Sequence, residues 1–168
     1  MSKNIFVIHK NRGMLLEQIL NKTIEYYNKN NIAFFAKKNL DIKFSKVFVD
    51  DRNKKLESSF ISKKSTVDYY GIYKGKYITF EAKSTQENIF HFSNIKKHQH
   101  NHLKQIHFLG GIAFYIIFFK RHSKIFLINV DKLDYENSKS ISIETAFKKG
   151  KLLDIDFPGI IDFIKFIE

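Results

Sequence analysis

Residues 65–85 read STVDYYGIYKGKYITFEAKST, and the reading of the whole chain follows from this stretch. Tyr77 to Lys83 alternates in side-chain character and is rich in aromatic and β-branched residues, so it predicts a strand. Gly71 to Gly75 supplies a turn signal, and Ser65 to Tyr70 leads into it; together they predict a hairpin. Strand side chains alternate, so Glu81 and Lys83 share one face while Ile78, Phe80 and Ala82 take the other, which suits a core. Asp68 lies on the paired strand and comes close to Glu81. Two carboxylates and one ammonium therefore converge on one spot.

Working outward, residues 13–28 have helical spacing, with Met14, Leu15, Ile19, Leu20, Ile24 and Tyr27 on one face. Ile32 to Ala36 reads as a short buried strand, and Ile42 to Val49 as a second. Residues 50–64 are polar and irregular and read as an exposed connection. Beyond the hairpin, residues 94–109 predict a helix with Ile95, His98, His102, Ile106 and Leu109 at helical steps, closed by Gly110-Gly111. Ile112 to Phe119 is nearly all apolar, as a strand buried on both faces should be. Lys124 to Val130 follows as a strand, then a short helix near 141–149 and an amphipathic one after Pro158-Gly159. The order predicts an α/β fold: a mixed sheet flanked by helices, in one domain spanning 1–168. A protruding stalk or mobile loop is expected near 38–64.

The chain has 29 Lys and Arg against 17 Asp and Glu, a net charge of +12. Such a surface attracts polyanions through Coulomb forces and counterion release. Lysine-rich codon usage in an AT-rich genome would raise the charge as well. There is no cysteine, which excludes disulfides and thiolate metal sites. The N-terminal residues lack the apolar core of a signal peptide, and the longest apolar run, Ile112 to Phe119, is too short to span a bilayer. These features predict a soluble, cytoplasmic protein.

Two carboxylates beside an amine suit phosphodiester hydrolysis. The carboxylates offer hard oxygen ligands to Mg²⁺, which polarises a phosphate and acidifies a bound water. The amine orients the water or meets charge building on phosphorus. The pattern is not specific by itself: Asp41-Ile42-Lys43 has the same acid-x-Lys form, but its nearest preceding acid, Glu25, lies in the first helix. A salt bridge between strand residues predicts the same three side chains.

Further motifs narrow the reading. Asn11-Arg12-Gly13-Met14 with Leu16-Glu17, Ser65-Thr66-Val67-Asp68-Tyr69 with Gly71, Phe80-Glu81-Ala82-Lys83 with Thr85, and the third block, Asn94-Ile95, His98-Gln99, His102-Leu103 and Gly110-Gly111-Ile112-Ala113-Phe114, stand in one order. In that order they resemble the RecU family of Holliday junction resolvases, over most of the chain. The resemblance implies a restriction-endonuclease-like core and a Mg²⁺-dependent homodimer, with Mn²⁺ as a substitute, cutting four-way DNA junctions symmetrically in bacterial recombination and repair. It implies Thr66, Asp68, Glu81 and Gln99 at the metal, Lys83 as transition-state stabiliser, and Glu17 near the site. A recombinase is an expected partner. The sequence departs from the family at Lys37 to Val47, which lacks its usual proline, and at Tyr70, where Asn is common.

Arg12, Lys37, Lys38, Lys43, Lys46, Lys63 and Lys64 are candidate DNA contacts, with Lys3, Lys10, Lys54 and Lys55 beside them. A solvated basic surface reads the same way. His98 and His102 have the i, i+4 spacing of a zinc motif, but Gln99 stands where its glutamate belongs, and packing roles fit better. Two rivals remain at this level: an endonuclease of the same fold acting on duplex DNA, and a non-catalytic nucleic-acid-binding protein.

Overall fold

The computed structural model describes residues 14–38, 41–50, 53–63 and 67–167, with side chains described in the first and last of these spans. Helix α1 (Met14–Lys29) precedes β1 (Phe34–Lys37), then β2 (Asp41–Asp50) and β3 (Asn53–Lys63). The hairpin strands are β4 (Tyr69–Tyr73) and β5 (Lys76–Thr85), followed by β6 (Ile89–His91) and α2 (Lys97–Phe108). Next come β7 (Ile112–Phe119), β8 (Lys124–Asn129), β9 (Ser140–Ser142), α3 (Ile143–Lys149) and β10 (Lys151–Leu153).

Six strands form one sheet in the order β1-β4-β5-β7-β8-β10. Only β5 and β7 are parallel, so the expected mixed sheet is present. The crossover between them carries α2, as a parallel connection requires. The hairpin turns at Lys74-Gly75, both at positive φ, the geometry that matches strand twist in two-residue loops. Gly71 is not part of that turn. It lies within β4, where an added Cβ would collide with the Phe34 carbonyl oxygen and the Phe35 ring.

β7 shows why an unbroken apolar run was needed. Phe114, Ile116 and Phe118 join the α1 side of the core with Leu16, Leu20, Phe80 and Phe163. Ala113, Tyr115, Ile117 and Phe119 join the other side with Leu103, Phe126 and Ala146. Ile78 and Phe80 are fully buried, and Ala82 packs beside them, on the face expected for them.

Four expectations need correction. The buried stripe of α1 is Leu16, Ile19, Leu20, Thr23, Ile24 and Tyr27; Met14 and Leu15 are about half exposed. In α2 the buried residues are Gln99, His100 and Leu103, while Leu109 is exposed. Polar side chains turn inward there because each finds a buried partner, described below. Residues 53–63 are not irregular: β3 pairs antiparallel with β2, with Val47 opposite Leu56 and Phe44 opposite Ser59. A polar sequence can form such a ladder when a neighbouring strand offers backbone partners. Last, the segment after Pro158-Gly159 makes only a single 3₁₀ turn, Ile164–Phe166. It is held by α1 side chains: Thr23 Oγ1 accepts from the Ile161 backbone N–H at 3.0 Å, and the Tyr27 hydroxyl donates to the Asp162 carboxylate at 2.8 Å.

Candidate active site

The cleft is built where the C-terminal half of β5 passes the start of β4 and the first turn of α1. Tyr69 pairs with Phe80, which leaves Asp68 beside Glu81 one step further along. The Asp68 backbone N–H donates to Glu81 Oε2 at 3.0 Å. The Asp68 carbonyl accepts from the Lys38 N–H at 2.7 Å, tying β1's exit to the same point. The cleft is lined by Leu16, Glu17, Lys37, Asp68, Tyr69, Ala82, Lys83 and Ser84 and has a volume of about 250 Å³. That is room for several water molecules at roughly 30 Å³ each.

Glu81 is completely buried. Lys83 Nζ lies 2.5 Å from its Oε1, and Gln99 Nε2 donates to the same oxygen at 2.7 Å. Gln99 reaches it from the first turn of α2, where its Oε1 accepts a long bond from the Lys96 N–H at 3.4 Å. Burial, with the nearby Asp68 charge, pushes the Glu81 carboxyl up to about 7; Lys83 pulls the other way. Lys83 is thus paired with Glu81, and the nearby Asp68 adds a second carboxylate. Such a donor set is short of positive charge and rich in hard oxygen, and it fits a divalent cation such as Mg²⁺. Asp68 and Glu81 are the residues able to hold one. Among the described residues, no three His, Cys, Asp or Glu side chains gather around a metal-sized space.

Most expected site residues that can be placed are here. Asp68, Glu81, Lys83 and Gln99 meet as stated. Glu17 reaches the cleft from α1, and Lys37 Nζ is ion-paired with its Oε1. Thr66, Arg12 and Lys64 lie outside the described residues, as do Lys3 and Lys10. Lys43 and Lys46 are on β2 and Lys54, Lys55 and Lys63 on β3, described as backbone only.

Sequence reasoning missed two features. Ser84 Oγ is buried and has no hydrogen-bond partner among the described residues, in a side chain that lines the cleft. Behind Glu81, its register partner on β7 is Tyr115, whose hydroxyl lies 2.9 Å from His100 Nδ1. The His100 ring stacks on Tyr135 with centroids 4.0 Å apart. Burial, then the Lys104 charge, holds the His100 imidazole below its ordinary pKa. A parallel register cannot be read from one sequence, so nothing there pointed to Tyr115.

A family model described as RecU, Recombination protein U, matches residues 11–168. The chain is 41% identical over 162 residues to a Holliday junction resolvase RecU of Mycoplasmopsis pulmonis, with 96% of this chain and 97% of that one covered. To the protein of the same description from Ureaplasma parvum it is 38% identical over 163 residues, covering 95% and 93%. Among solved structures, Hjc of Archaeoglobus fulgidus, described as a Holliday junction resolvase, matches with a TM-score of 0.48 at 12% identity, over 81% of this chain and 94% of that one.

Proposed function

The chain belongs to the Recombination protein U family, and on that premise we propose that it is a structure-selective endonuclease that resolves four-way DNA junctions in recombination and repair. The observation that carries the chemistry is the meeting of Asp68, Glu81 and Lys83 at one cleft, with Glu81 wholly buried. Near-relatives over almost the full length of the chain bear the name of that activity.

Asp68 and Glu81 would hold Mg²⁺, with Mn²⁺ as a substitute and Thr66 and Gln99 as the further expected ligands. When bound, the ion polarises a phosphate oxygen and lowers the pKa of a coordinated water. Lys83 faces the attacked phosphate, steadies the water and offsets negative charge growing on the phosphorane oxygens. Gln99 fixes the Glu81 carboxylate in its pocket, so the site is ordered before substrate arrives. Glu17 and Lys37 form the rim that a phosphate passes.

Two such sites are needed. A four-way junction has approximate two-fold symmetry, so paired cuts call for a homodimer with a matching axis. Recognition is of shape and phosphate positions, since junctions of any sequence must be cut. Lys38, Lys43, Lys46, Lys63, Lys64 and Arg12 are candidate phosphate contacts. The place of action is the cytoplasm, with a recombinase as partner; among the described residues no helix is long and apolar enough to cross a membrane.

The test is a cleavage assay on a synthetic junction and a linear duplex, with Mg²⁺ or EDTA, for wild type and Asp68→Asn. Junction cutting by wild type with Mg²⁺ alone is expected. Equal cutting of linear duplex would replace junction selectivity with a general endonuclease, and binding without cutting would remove the catalytic reading.

A further inference from the structure

The C-terminal ends of β5 and β7, the two central strands, lie side by side at one end of the sheet. Their parallel register pairs Lys83 with Ile117 and Thr85 with Phe119. The chain leaves Phe119 directly into the turn Lys120-Arg121-His122-Ser123-Lys124, four basic residues in five. This turn touches β5 itself. Strand and 3₁₀ rises put the Arg121 backbone on the order of 10 Å past Lys83. A DNA strand carries one phosphate per roughly 3.4 Å of axis, so Arg121 is within about three phosphates of a scissile group at Lys83.

The turn is built to be held still. Phe119 beneath it is fully buried against Phe126, edge to face. Ser123 adopts a left-handed conformation, φ 51°, which closes the turn. His122 Nε2 lies 2.7 Å from Asn88 Oδ1, locking the turn to the loop that follows β5. Two of its basic groups are already engaged: Glu144 lies near enough to His122 for its carboxyl to be lowered slightly by it, after the stronger effect of a Ser142 hydrogen bond, and Lys120 has a contact of its own.

Arg121 differs from them. It is exposed and has no acidic partner among the described residues. The chain has three arginines, Arg12, Arg52 and Arg121, and only the last is among the described residues. A guanidinium offers a planar fork of donors that matches two phosphate oxygens, which an ammonium does not.

We propose that Arg121, presented by the turn between β7 and β8, grips the DNA backbone beside the cleaved bond. This rests on the nuclease reading above and adds a phosphate subsite beside the cleft, past Lys83. The contact positions the strand and carries no base information.

The test uses a labelled four-way junction and a linear duplex, with binding read by fluorescence anisotropy in EDTA across a salt series and cleavage read separately with Mg²⁺. Arg121→Ala should weaken binding about tenfold on both DNAs. The slope of log Kd against log salt should fall by about 0.9, one phosphate contact. KM for junction cleavage should rise while kcat at saturating junction stays at the wild-type value. Lys76→Ala removes the same charge from the opposite end of β5 and should change none of these. Unchanged Kd and slope for Arg121→Ala, or an equal loss from Lys76→Ala, overturns the subsite while leaving the nuclease reading intact. A fall in kcat alone overturns it too, because Arg121 would then act in the chemistry. A wild type that cuts no DNA removes the parent reading and this one together.

Discussion

The side-chain amide of Gln99 donates a 2.7 Å hydrogen bond to Oε1 of Glu81, joining the first turn of α2 to the strand that carries Glu81 and Lys83. Glu81 is fully buried and Gln99 nearly so. The bond therefore acts in a low-dielectric setting, where its loss is felt. With Glu81 as the metal ligand proposed above, Gln99→Ala should lower single-turnover cleavage of a junction by about 10–100-fold, the usual cost of losing a partner that orients such a ligand. Binding of the same junction in EDTA should stay unchanged. A Gln99→Ala protein that cuts at the wild-type rate would show that Glu81 holds its place without help.

The raised pKa of Glu81 makes stability depend on pH. The carboxyl titrates near its ordinary 4.5 when unfolded and at about 7 when folded, chiefly through burial. The folded chain keeps its proton longer, so stability is full below about 4.5 and is lost as pH rises towards 7. The span corresponds to roughly 3 kcal/mol at about 1.4 kcal/mol per unit. In EDTA, Glu81→Gln should therefore gain thermal stability relative to wild type between pH 5 and pH 8, while losing cleavage altogether. Parallel melting curves for the two proteins across that range would contradict the assignment.

His100 carries the opposite dependence. Its buried ring resists protonation, so the unfolded chain takes up a proton first as pH drops below 6.5. Stability from this residue is present above 6.5 and is lost as pH falls. Tyr115→Phe leaves the buried Nδ1 of His100 without its 2.9 Å partner. We expect a loss of about 1–3 kcal/mol in urea unfolding at pH 7.5. A midpoint equal to that of wild type would mean the hydroxyl is dispensable.

Gly71 is fixed by crowding, not by turn geometry. A Cβ there meets the Phe34 carbonyl and the Phe35 ring, both on the neighbouring strand β1. Gly71→Ala should cost about 1–3 kcal/mol, because an overpacked strand must shift its neighbour. It should also depress cleavage, since Lys37 at the cleft rim is on that same strand. Gly75→Asn is the contrast: its positive φ sits in open space, and Asn tolerates that region, so little change is expected.

Much of the molecule was legible in local patterns. Alternation in residues 77–83 gave a strand with Glu81 and Lys83 on one face, because strand geometry has a period of two. The unbroken run Ile112 to Phe119 gave a central strand, because only burial on both faces tolerates it. Residues 50–64 misled because a polar run carries no core-facing pattern, yet the backbone of Asn53–Lys63 within it pairs with β2. The inward turn of His100 was hidden because a buried polar residue depends on a partner distant in sequence, here Tyr115, while that of Gln99 was legible only through the family resemblance and not from helix spacing.

By itself, then, the sequence determined the hairpin, the placing of Glu81 and Lys83 on one face of β5 and the apolar centre of the sheet, all set by neighbours along the chain. Tertiary structure alone decided the parallel register of β5 and β7, and with it the placement of Tyr115 behind Glu81 and of Arg121 past Lys83. The physical reason is that a crossover helix of many residues separates those strands. Their alignment is chosen by packing on both faces of the sheet, where no short stretch of sequence holds the information.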